Sequence, residues 1–268
     1  MNASNIPIYW LEQTLVDVPT GDYWLSDSER SRVNSLHIAK RRQEWRLGRW
    51  TAKRAVAAYL QRPFDRLSEI EIRAGLSGAP EIAIKGVEAT PSISISHCGG
   101  SAVCIVAAPN SAIGCDLERV EPRTDAFYET FFTDYERKEL GKLSGYDRAV
   151  VACVMWCAKE SYLKAIHEGL RRDTRDVEVR LEDLCGSTQT NDEKSGTVAW
   201  CRYRVTSGND RASGFWKRNK DFVTAVISTS SCRAQLDLSG SLLPIRLHLV
   251  IVAEHVSQEC RVDSEQNG

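Results

Sequence analysis

The sequence has no long apolar run, no excess of charge of either sign and no closely paired cysteines. No apolar stretch is long enough to span a bilayer, and the N-terminus lacks the basic-then-apolar pattern of a signal peptide. The formal net charge is -1, from 35 basic and 36 acidic residues. These absences predict a cytoplasmic protein with no membrane partner and no general affinity for nucleic acid, so that any basic site must be local.

The nine cysteines do not follow a metal-binding spacing. Their number is odd, and most of them lie within apolar runs. The pair Cys153 and Cys157 has helical spacing inside such a run, which favours reduced core thiols over disulfides or zinc ligands. With 268 residues, of which 42% are hydrophobic, the chain is long enough for one large globular domain or two small ones.

The segment 152–170 places charges within a run that otherwise predicts a buried helix. Residues 149–157 are apolar at every position, so this part of the helix is expected to be buried on all sides. Trp156, Glu160 and Lys164 follow at four-residue spacing on one face, with Lys159 to one side. One interpretation is an exposed Glu160–Lys164 ion pair, and the other is a site for a metal or a charged ligand.

The first sixty residues contain a basic region that lacks acidic partners. Residues 26–29 (SDSE) predict a helix start, and the chain that follows is basic and helical. Glu44 is the one acidic residue between positions 31 and 60. Most of these cations are typical of a solvated helix face, but their number indicates that an anion binds here.

Alternating patterns predict most of the strands. Residues 6–13 predict an edge strand, 69–73 and 81–85 predict short strands, and 92–96, 102–107 and 112–117 predict a three-stranded antiparallel meander. Further strands are predicted within 171–185, 198–205 and 222–228, with a polar loop at 186–196 and a hairpin connection at 206–220. Residues 242–256 predict an added strand or helix, and 257–268 a frayed end.

Two points of the predicted meander can carry chemistry. His97 lies where a strand enters the Gly99-Gly100 turn, at which backbone N–H groups can face an anion, although a lone histidine is more often structural. Asp116 and Glu118 point to one face of a strand, about 6.5–7 Å apart at the backbone. Together with Glu160 they would suit a magnesium ion, which takes carboxylate oxygens and substrate phosphates as ligands.

An ordered set of short motifs resembles the 4′-phosphopantetheinyl transferases of the surfactin-synthetase-activating type. The likeness extends over residues 25–230. The motifs are KRR at 40–42, GR at 48–49, SISH at 94–97, IGCDLE at 113–118, FFTDYE at 131–136, WCAKESYLKA at 156–165 and GL at 169–170.

The resemblance implies an α+β fold of two similar halves related by a pseudo-two-fold axis, with the active site between them. It gives an N-terminal half at 1–111, a C-terminal half at 112–232 and an extension at 233–268. No internal repeat is visible as sequence identity, so the two-half architecture depends on the resemblance alone.

The resemblance also implies an activity. Such enzymes transfer the phosphopantetheine arm of coenzyme A to a serine of an apo acyl or peptidyl carrier protein and release 3′,5′-ADP, with Mg²⁺ as cofactor. The carrier would belong to fatty-acid, polyketide or non-ribosomal peptide synthesis, and a chain with both halves is expected to be a monomer. A non-catalytic coenzyme A or nucleotide-binding module and a magnesium-dependent phosphohydrolase are the alternatives.

The matching positions assign binding roles to nine residues. Asp116 and Glu160 are expected to bind the metal, with Glu118 as a third ligand. Lys164, and less directly Lys159, would neutralise phosphate charge. The remaining expected phosphate contacts are Ser96, His97, Arg41 and Arg49, the last two because a guanidinium suits a phosphate.

The identity of the general base stays open at this point. Glu136 matches a position proposed for the base, and Glu160 could act instead through a metal-bound water. One position departs from the family pattern, because Ala79 replaces a lysine in a Gly-Lys-Pro segment. The phosphate contact of that lysine is lost unless Lys85 or Arg73 replaces it.

Overall fold

The computed structural model describes residues 7–182, 200–229 and 248–251. The helices in this part of the chain are α1 (Asp27–Asn34), α2 (Ala39–Tyr59), α3 (Asp125–Phe131), α4 (Asp134–Leu140) and α5 (Gly145–Ala165). The strands are β1 (Pro7–Thr14), β2 (Ile70–Ala74), β3 (Pro80–Ile84), β4 (Ser92–Cys98), β5 (Ser101–Ala107), β6 (Ile113–Arg119), β7 (Glu178–Leu181), β8 (Cys201–Ser207), β9 (Asp210–Asn219), β10 (Phe222–Ser228) and β11 (His248–Ile251).

Two antiparallel sheets form the centre of the molecule, and a long helix packs on each of them. The first sheet has the order β11-β1-β5-β4 and the second β6-β10-β9-β8-β7, while β2 and β3 form a separate hairpin. Cys104 and Val106 of β5 pack in the cluster that contains α2, whereas Val103 and Ile105 face the second sheet. This alternation gives the layers α2, first sheet, second sheet and α5, and the predicted α+β class is confirmed.

Helix α5 is buried on almost every side, as its sequence predicts. Residues 149–155 are all less than 9% exposed, because the helix packs against the second sheet beneath it and against α3 and α4. The helix ends at Ala165, five residues before the predicted end. His167 and Gly169 follow with φ angles of 58° and 52°, which a right-handed helix does not accommodate.

The strand predictions are correct in position but partly wrong in pairing. Strand β6 pairs with β10 and not with β5, so the predicted three-stranded meander is a β4–β5 hairpin followed by a strand of the other sheet. Strand β1 is an inner strand between β11 and β5 rather than an edge strand. The stretch predicted as a connection at 206–220 contains the ten-residue strand β9.

The same buried clamp occurs in both halves of the chain. Ser26 and Glu29 form a capping box at the start of α1, and Glu29 also pairs with Lys53 of α2 and accepts the Ile72 N–H at 3.1 Å. The ammonium group of Lys53 in addition donates to the Trp24 carbonyl at 2.9 Å. Glu29 and Lys53 are 3% and 0% exposed, so each charge depends on the other.

In the second half, Thr133 and Glu136 form the capping box of α4. Glu136 pairs with Lys159 of α5 at 2.8 Å and accepts the Val179 N–H at 2.7 Å. The lysines of the two clamps end the segments Trp50-Thr-Ala-Lys53 and Trp156-Cys-Ala-Lys159, which are identical at three of four positions. The two segments share three residues, and the contacts of the two clamps are consistent with two related halves.

Several predictions lie wholly or partly outside the described residues. The polar loop at 186–196 and the end at 257–268 are not described, and of 242–256 the structure describes the strand β11, which pairs with β1. The described cysteines are all free thiols: Cys98, Cys104, Cys115, Cys153, Cys157 and Cys201. Of the helices within the described ranges, none combines the length and the apolar character required to cross a bilayer.

Candidate active site

A glycine brings α5 into direct contact with β6. A Cβ atom at Gly114 would lie 1.8 Å from the Ser161 carbonyl oxygen, so only glycine fits between this strand and the helix. The Ser161 hydroxyl donates to the Ala225 carbonyl at 3.1 Å and attaches the same turn of α5 to β10. This close approach places Glu160, next to Ser161, and Lys164, one turn further along α5, near the carboxylate of Asp116.

Asp116 lies at the centre of the site. It is 4% exposed, and its Oδ1 atom accepts from the Lys164 ammonium group at 2.7 Å and from the Ser96 hydroxyl at 2.8 Å. Its Oδ2 atom is buried without a hydrogen-bond partner. Since a buried carboxylate oxygen without a partner is costly, this atom is suited to a further cation.

Glu160 and Glu118 carry more negative charge than their surroundings balance. Burial, together with the charges of Asp116 and Glu118, raises the pKa of Glu160 to about 7, although Lys164 opposes the shift. Burial and the charge of Asp116 also raise the pKa of Glu118, which Arg123 opposes from 3.8 Å. A site that resists ionisation of its own carboxylates gains from binding a cation.

Lys164 responds in the opposite direction. Burial by itself would lower its pKa, but the charge of Asp116, the hydrogen bond to Asp116 and the charge of Glu160 outweigh burial and raise it. The ammonium group also donates to the Cys115 carbonyl at 3.1 Å. Lys164 is therefore held as a cation beside Asp116, with 28% of its side chain still exposed.

The three carboxylates have the donor chemistry of a magnesium site, but their side chains are not gathered around one point. Within residues 7–182, 200–229 and 248–251, no three His, Cys, Asp or Glu side chains are close enough to coordinate one ion. The free Oδ2 of Asp116 and the mutual repulsion of the carboxylates nevertheless fit a hard divalent cation, which prefers oxygen ligands.

A cavity of about 200 Å³ lies between α2, the β2–β3 hairpin and β4. Arg49, Arg73 and His97 contribute basic groups to its wall, and Trp45 contributes an aromatic face. Gly48 allows α2 to approach β4, since a Cβ atom there would lie 3.3 Å from the His97 ring. The cavity is thus a basic pocket with an aromatic side.

The basic groups of the cavity are only partly compensated. Burial lowers the pKa of Arg49, which stacks on Trp45 with the guanidinium carbon 4.9 Å from the ring centroid. Partial withdrawal from water lowers the pKa of His97, and the charges of Lys164 and Arg49 add to this effect while Glu44 opposes it. An anion in the cavity would favour the protonated form of His97 and relieve the cationic excess.

Two of the residues predicted to contact phosphate are used differently. The hydroxyl of Ser96 donates to Asp116, so Ser96 orients a carboxylate instead of lining the cavity. Arg41 is exposed and lies one helical turn before Trp45, at the outer edge of the same face of α2. Arg49 and His97 line the cavity, and their contact with phosphate stays a prediction.

Glu136 and Lys159 form a structural pair, and the geometry does not support the direct roles predicted for them. Both side chains are 0% exposed, and they bind each other at 2.8 Å. Glu136 also accepts two backbone N–H groups, while Lys159 donates to the carbonyl of Thr174 at 2.8 Å and to that of Val177. A serine hydroxyl cannot reach Glu136, and a phosphate cannot reach Lys159, without opening this clamp.

Two residues of the site were not assigned a role in it from the sequence. Trp156 packs against Phe127 and Phe131 at centroid distances of 5.2 Å, and its indole N–H lies toward Glu118, whose pKa it helps to lower. Arg123 pairs with Glu118 and lies over the Phe127 ring. The four-residue spacing from Trp156 to Glu160 was the available signal, because it places both side chains on the face of α5 that meets β6.

Comparison with known proteins links this geometry to a family. Residues 112–227 match the model of the 4′-phosphopantetheinyl transferase superfamily. The chain is similar to the 4′-phosphopantetheinyl transferase HetI of Nostoc, with 27% identity over 179 residues, or 66% of this chain and 72% of HetI. It is also similar to a 4′-phosphopantetheinyl transferase of Bacillus subtilis, with 31% identity over 113 residues, or 41% of this chain and 50% of that protein.

Among solved structures, the chain is similar to a holo-(acyl-carrier-protein) synthase from Bacillus anthracis in complex with CoA (3′,5′-ADP). The sequence identity is 24% and the TM-score 0.35, with 40% of this chain and 100% of that chain covered. The family match is to residues 112–227, which include Asp116, Glu160 and Lys164, so this part of the chain is similar to the 4′-phosphopantetheinyl transferase superfamily, and the comparisons indicate a transferase.

Proposed function

We propose that this protein transfers the 4′-phosphopantetheine group of coenzyme A to a serine of an apo carrier protein, releases 3′,5′-ADP and requires Mg²⁺. We further propose that it is a cytoplasmic monomer of the surfactin-synthetase-activating type. The observation that carries the proposal is the position of Asp116, Glu160 and Lys164 on two elements packed against each other, across β4 from a basic cavity.

The basic cavity is the proposed site for the phosphates of coenzyme A. Arg49 and His97 line it, and Arg73 enters it from β2. Glu71 accepts from Arg73 at 2.9 Å and from the Ser28 hydroxyl, so the guanidinium group is held in place before the donor binds. Lys85 does not line the cavity, which makes Arg73 the better replacement for the lysine lost at Ala79.

Asp116 and Glu160 are the proposed magnesium ligands, with Glu118 as a third. A bound ion would neutralise charge on the phosphates and orient them for displacement. Trp156 and Arg123 hold Glu118 from two sides, and Ser96 orients Asp116, so the ligand set has its own supporting contacts.

Glu160 is the proposed general base. Without a bound cation its pKa is about 7, and its incomplete burial leaves it accessible to a serine hydroxyl, whereas Glu136 is enclosed. The serine oxygen forms a bond to the β-phosphorus, the bond from that phosphorus to the 3′,5′-ADP oxygen breaks, and the serine proton passes to the Glu160 carboxylate. Lys164 lies beside Asp116 and stabilises the negative charge that moves onto the leaving phosphate.

The test uses the full chain with coenzyme A, MgCl₂ and a panel of apo acyl and peptidyl carrier proteins, followed by intact mass measurement of each carrier. The expected result is a mass gain of one phosphopantetheine on a serine, with release of 3′,5′-ADP. Hydrolysis of coenzyme A without a carrier adduct would indicate a phosphohydrolase, and binding without turnover would indicate a non-catalytic module. Either result would overturn the proposal.

A further inference from the structure

A buried lysine without an assigned role lies where β9 of the second sheet meets β1 of the first sheet. Lys217 lies on β9 of the second sheet, and its side chain reaches β1 of the first sheet. Lys217 is 8% exposed, and it lies outside the segments that contain the predicted catalytic residues. A buried ammonium group requires partners that compensate for its lost hydration.

Three side chains surround the ammonium group of Lys217. The nitrogen lies 3.5 Å from the ring centroid of Trp10 and 5.2 Å from that of Trp200. The two indole rings are nearly perpendicular, with centroids 5.7 Å apart. The carboxylate of Glu12 completes the enclosure at 3.5 Å from the same nitrogen.

This arrangement is suited to a cation and to an ammonium ion in particular. The faces of indole rings attract positive charge, and the attraction is strongest where water is excluded. Burial lowers the pKa of Lys217, but Glu12 opposes that shift, and a neutral amine would gain little from either ring face. The contacts join β1 to β9, so they link the two sheets directly.

The enclosure of Lys217 by Trp10, Trp200 and Glu12 lies at a junction between the two sheets, as the candidate active site does. At the candidate active site, β4 of the first sheet meets β6 of the second, and Ser96 contacts Asp116. Ser96 lies opposite Val103 of β5. At the Lys217 enclosure, β9 of the second sheet meets β1 of the first through the Lys217–Glu12 pair. Lys217 lies opposite Thr224 of β10. On the corresponding elements of the first half, β1 presents Leu11 to α2, and the Trp-x-Ala-Lys segment of α2 continues with Arg54, where that of α5 continues with Glu160.

We propose that Trp10, Trp200 and Glu12 form a binding site for a primary ammonium group, and that the chain fills this site with its own Lys217. The Lys217 ammonium group thereby connects β9 of the second sheet to β1 of the first sheet. It is independent of the proposed transfer reaction, because it depends only on contacts between β1, β9 and the residue before β8.

The first test compares the thermal unfolding of Lys217→Met and Lys142→Met in the full chain. Methionine keeps the length and apolar stem of Lys217 but removes the charge, so the Tm should fall by roughly 4–8 °C. Lys142 is the matched control, since it is also paired with a glutamate, at 2.6 Å from Glu139, but has 59% of its side chain exposed. Its replacement should change the Tm by about 1 °C or less.

The second test is rescue of Lys217→Ala by propylammonium chloride, which supplies the carbons and the ammonium group that truncation removes. Propylammonium should raise the Tm of Lys217→Ala more than that of the wild-type protein, and more than sodium chloride of equal ionic strength does. A Lys217→Met protein as stable as wild type, or equal effects of propylammonium on Lys217→Ala and wild type, would overturn the proposal. If Lys217→Ala does not fold, the comparison of Lys217→Met with Lys142→Met decides the matter alone.

Discussion

At the scale of single residues, Glu160 is expected to control the pH dependence of transfer. Its carboxylate must be ionised to accept a proton, and its pKa without a bound cation is about 7, so at low Mg²⁺ concentration the rate should fall as the pH drops below about 7. A cation favours the ionised form, so higher Mg²⁺ concentrations should move this acidic limb to lower pH. The measurement is the pH dependence of kcat/KM at several Mg²⁺ concentrations.

The variant Glu160→Gln should lose at least about 100-fold in kcat/KM, because it removes both the base and a predicted metal ligand. Mn²⁺ binding measured by calorimetry provides a second readout and should weaken in the same variant. A variant that transfers at the wild-type rate would remove Glu160 from the mechanism.

Arg73 is expected to bind the donor. Arg73→Gln should raise the Kd for 3′,5′-ADP by about tenfold, since a charge-assisted hydrogen bond to phosphate contributes on the order of 1.5–3 kcal/mol. Lys85→Gln is the control, because Lys85 follows β3 and does not line the cavity. Equal affinities for the two variants would show that Arg73 does not contact the donor, whereas absence of binding to the wild-type protein would instead contradict the proposed function.

Glu136→Gln should act on stability rather than on the chemistry. It leaves the buried charge of Lys159 without compensation and should cost about 3–5 kcal/mol of unfolding free energy, measured by urea denaturation. The acidic limb of the rate profile should remain. Glu139→Gln serves as the control on the same helix, since Glu139 pairs with the exposed Lys142. Loss of the acidic limb in Glu136→Gln, with unchanged stability, would restore Glu136 as the base.

At the scale of secondary-structure elements, the contact between β6 and α5 is the most sensitive. Gly114→Ala places a methyl group 1.8 Å from the Ser161 carbonyl oxygen, so the helix must move away from the strand and carry Glu160 and Lys164 away from Asp116. We expect the Tm to fall by roughly 5–10 °C and kcat to fall in the folded fraction.

Gly141→Ala is a suitable comparison for that variant. Gly141 follows α4 with a φ of -67°, which alanine adopts readily, and the nearest atom to an added Cβ is 3.3 Å away. It should retain both stability and activity. If Gly114→Ala behaves like Gly141→Ala, the close packing of α5 on β6 is not what positions the site.

The elements themselves could be predicted more reliably than their partners. The uninterrupted apolar run of α5 and the alternation in β4 and β5 are local patterns, and each gave an element at the expected place. The pairing of β6 with β10 joins segments about a hundred residues apart, and no local pattern specifies it. For the same reason, residues 206–220 were predicted as a hairpin connection, whereas the structure has the strand β9 there.

In the candidate active site, too, some predictions from the sequence are correct and others are not. Lys164 binds Asp116, and Glu160 lies near enough for its pKa to respond to the Asp116 charge. Their spacing predicted that Glu160 and Lys164 share a face of α5, whereas the approach of that face to Asp116 was implied by the resemblance. Glu136 and Lys159 were assigned to the chemistry because their types and motifs fit it. The sequence does not reveal that the two side chains bury each other, since they belong to helices whose packing is decided by the whole second half.

At the scale of the whole molecule, the protein should bind one 3′,5′-ADP per chain. The cavity lies between α2, the β2–β3 hairpin and β4, next to the acids of β6 and α5, and the first half offers Leu11 and Arg54 where the second offers Asp116 and Glu160. Isothermal titration calorimetry should therefore give a stoichiometry of one. A value of two would show that the junction between β1 and β9 also accepts the nucleotide.

The apolar layer between the two sheets suggests how the chain could be divided. Ile8 and Ile105 from the first sheet pack there with Cys115 and Val226 from the second, and the turn at 108–112 is the direct connection between β5 and β6. A polypeptide cut in this turn would expose that layer on both fragments, and its burial would favour their reassociation. Such a pair of fragments could serve as a complementation reporter, in which recovery of carrier modification measures the encounter of two fused partners.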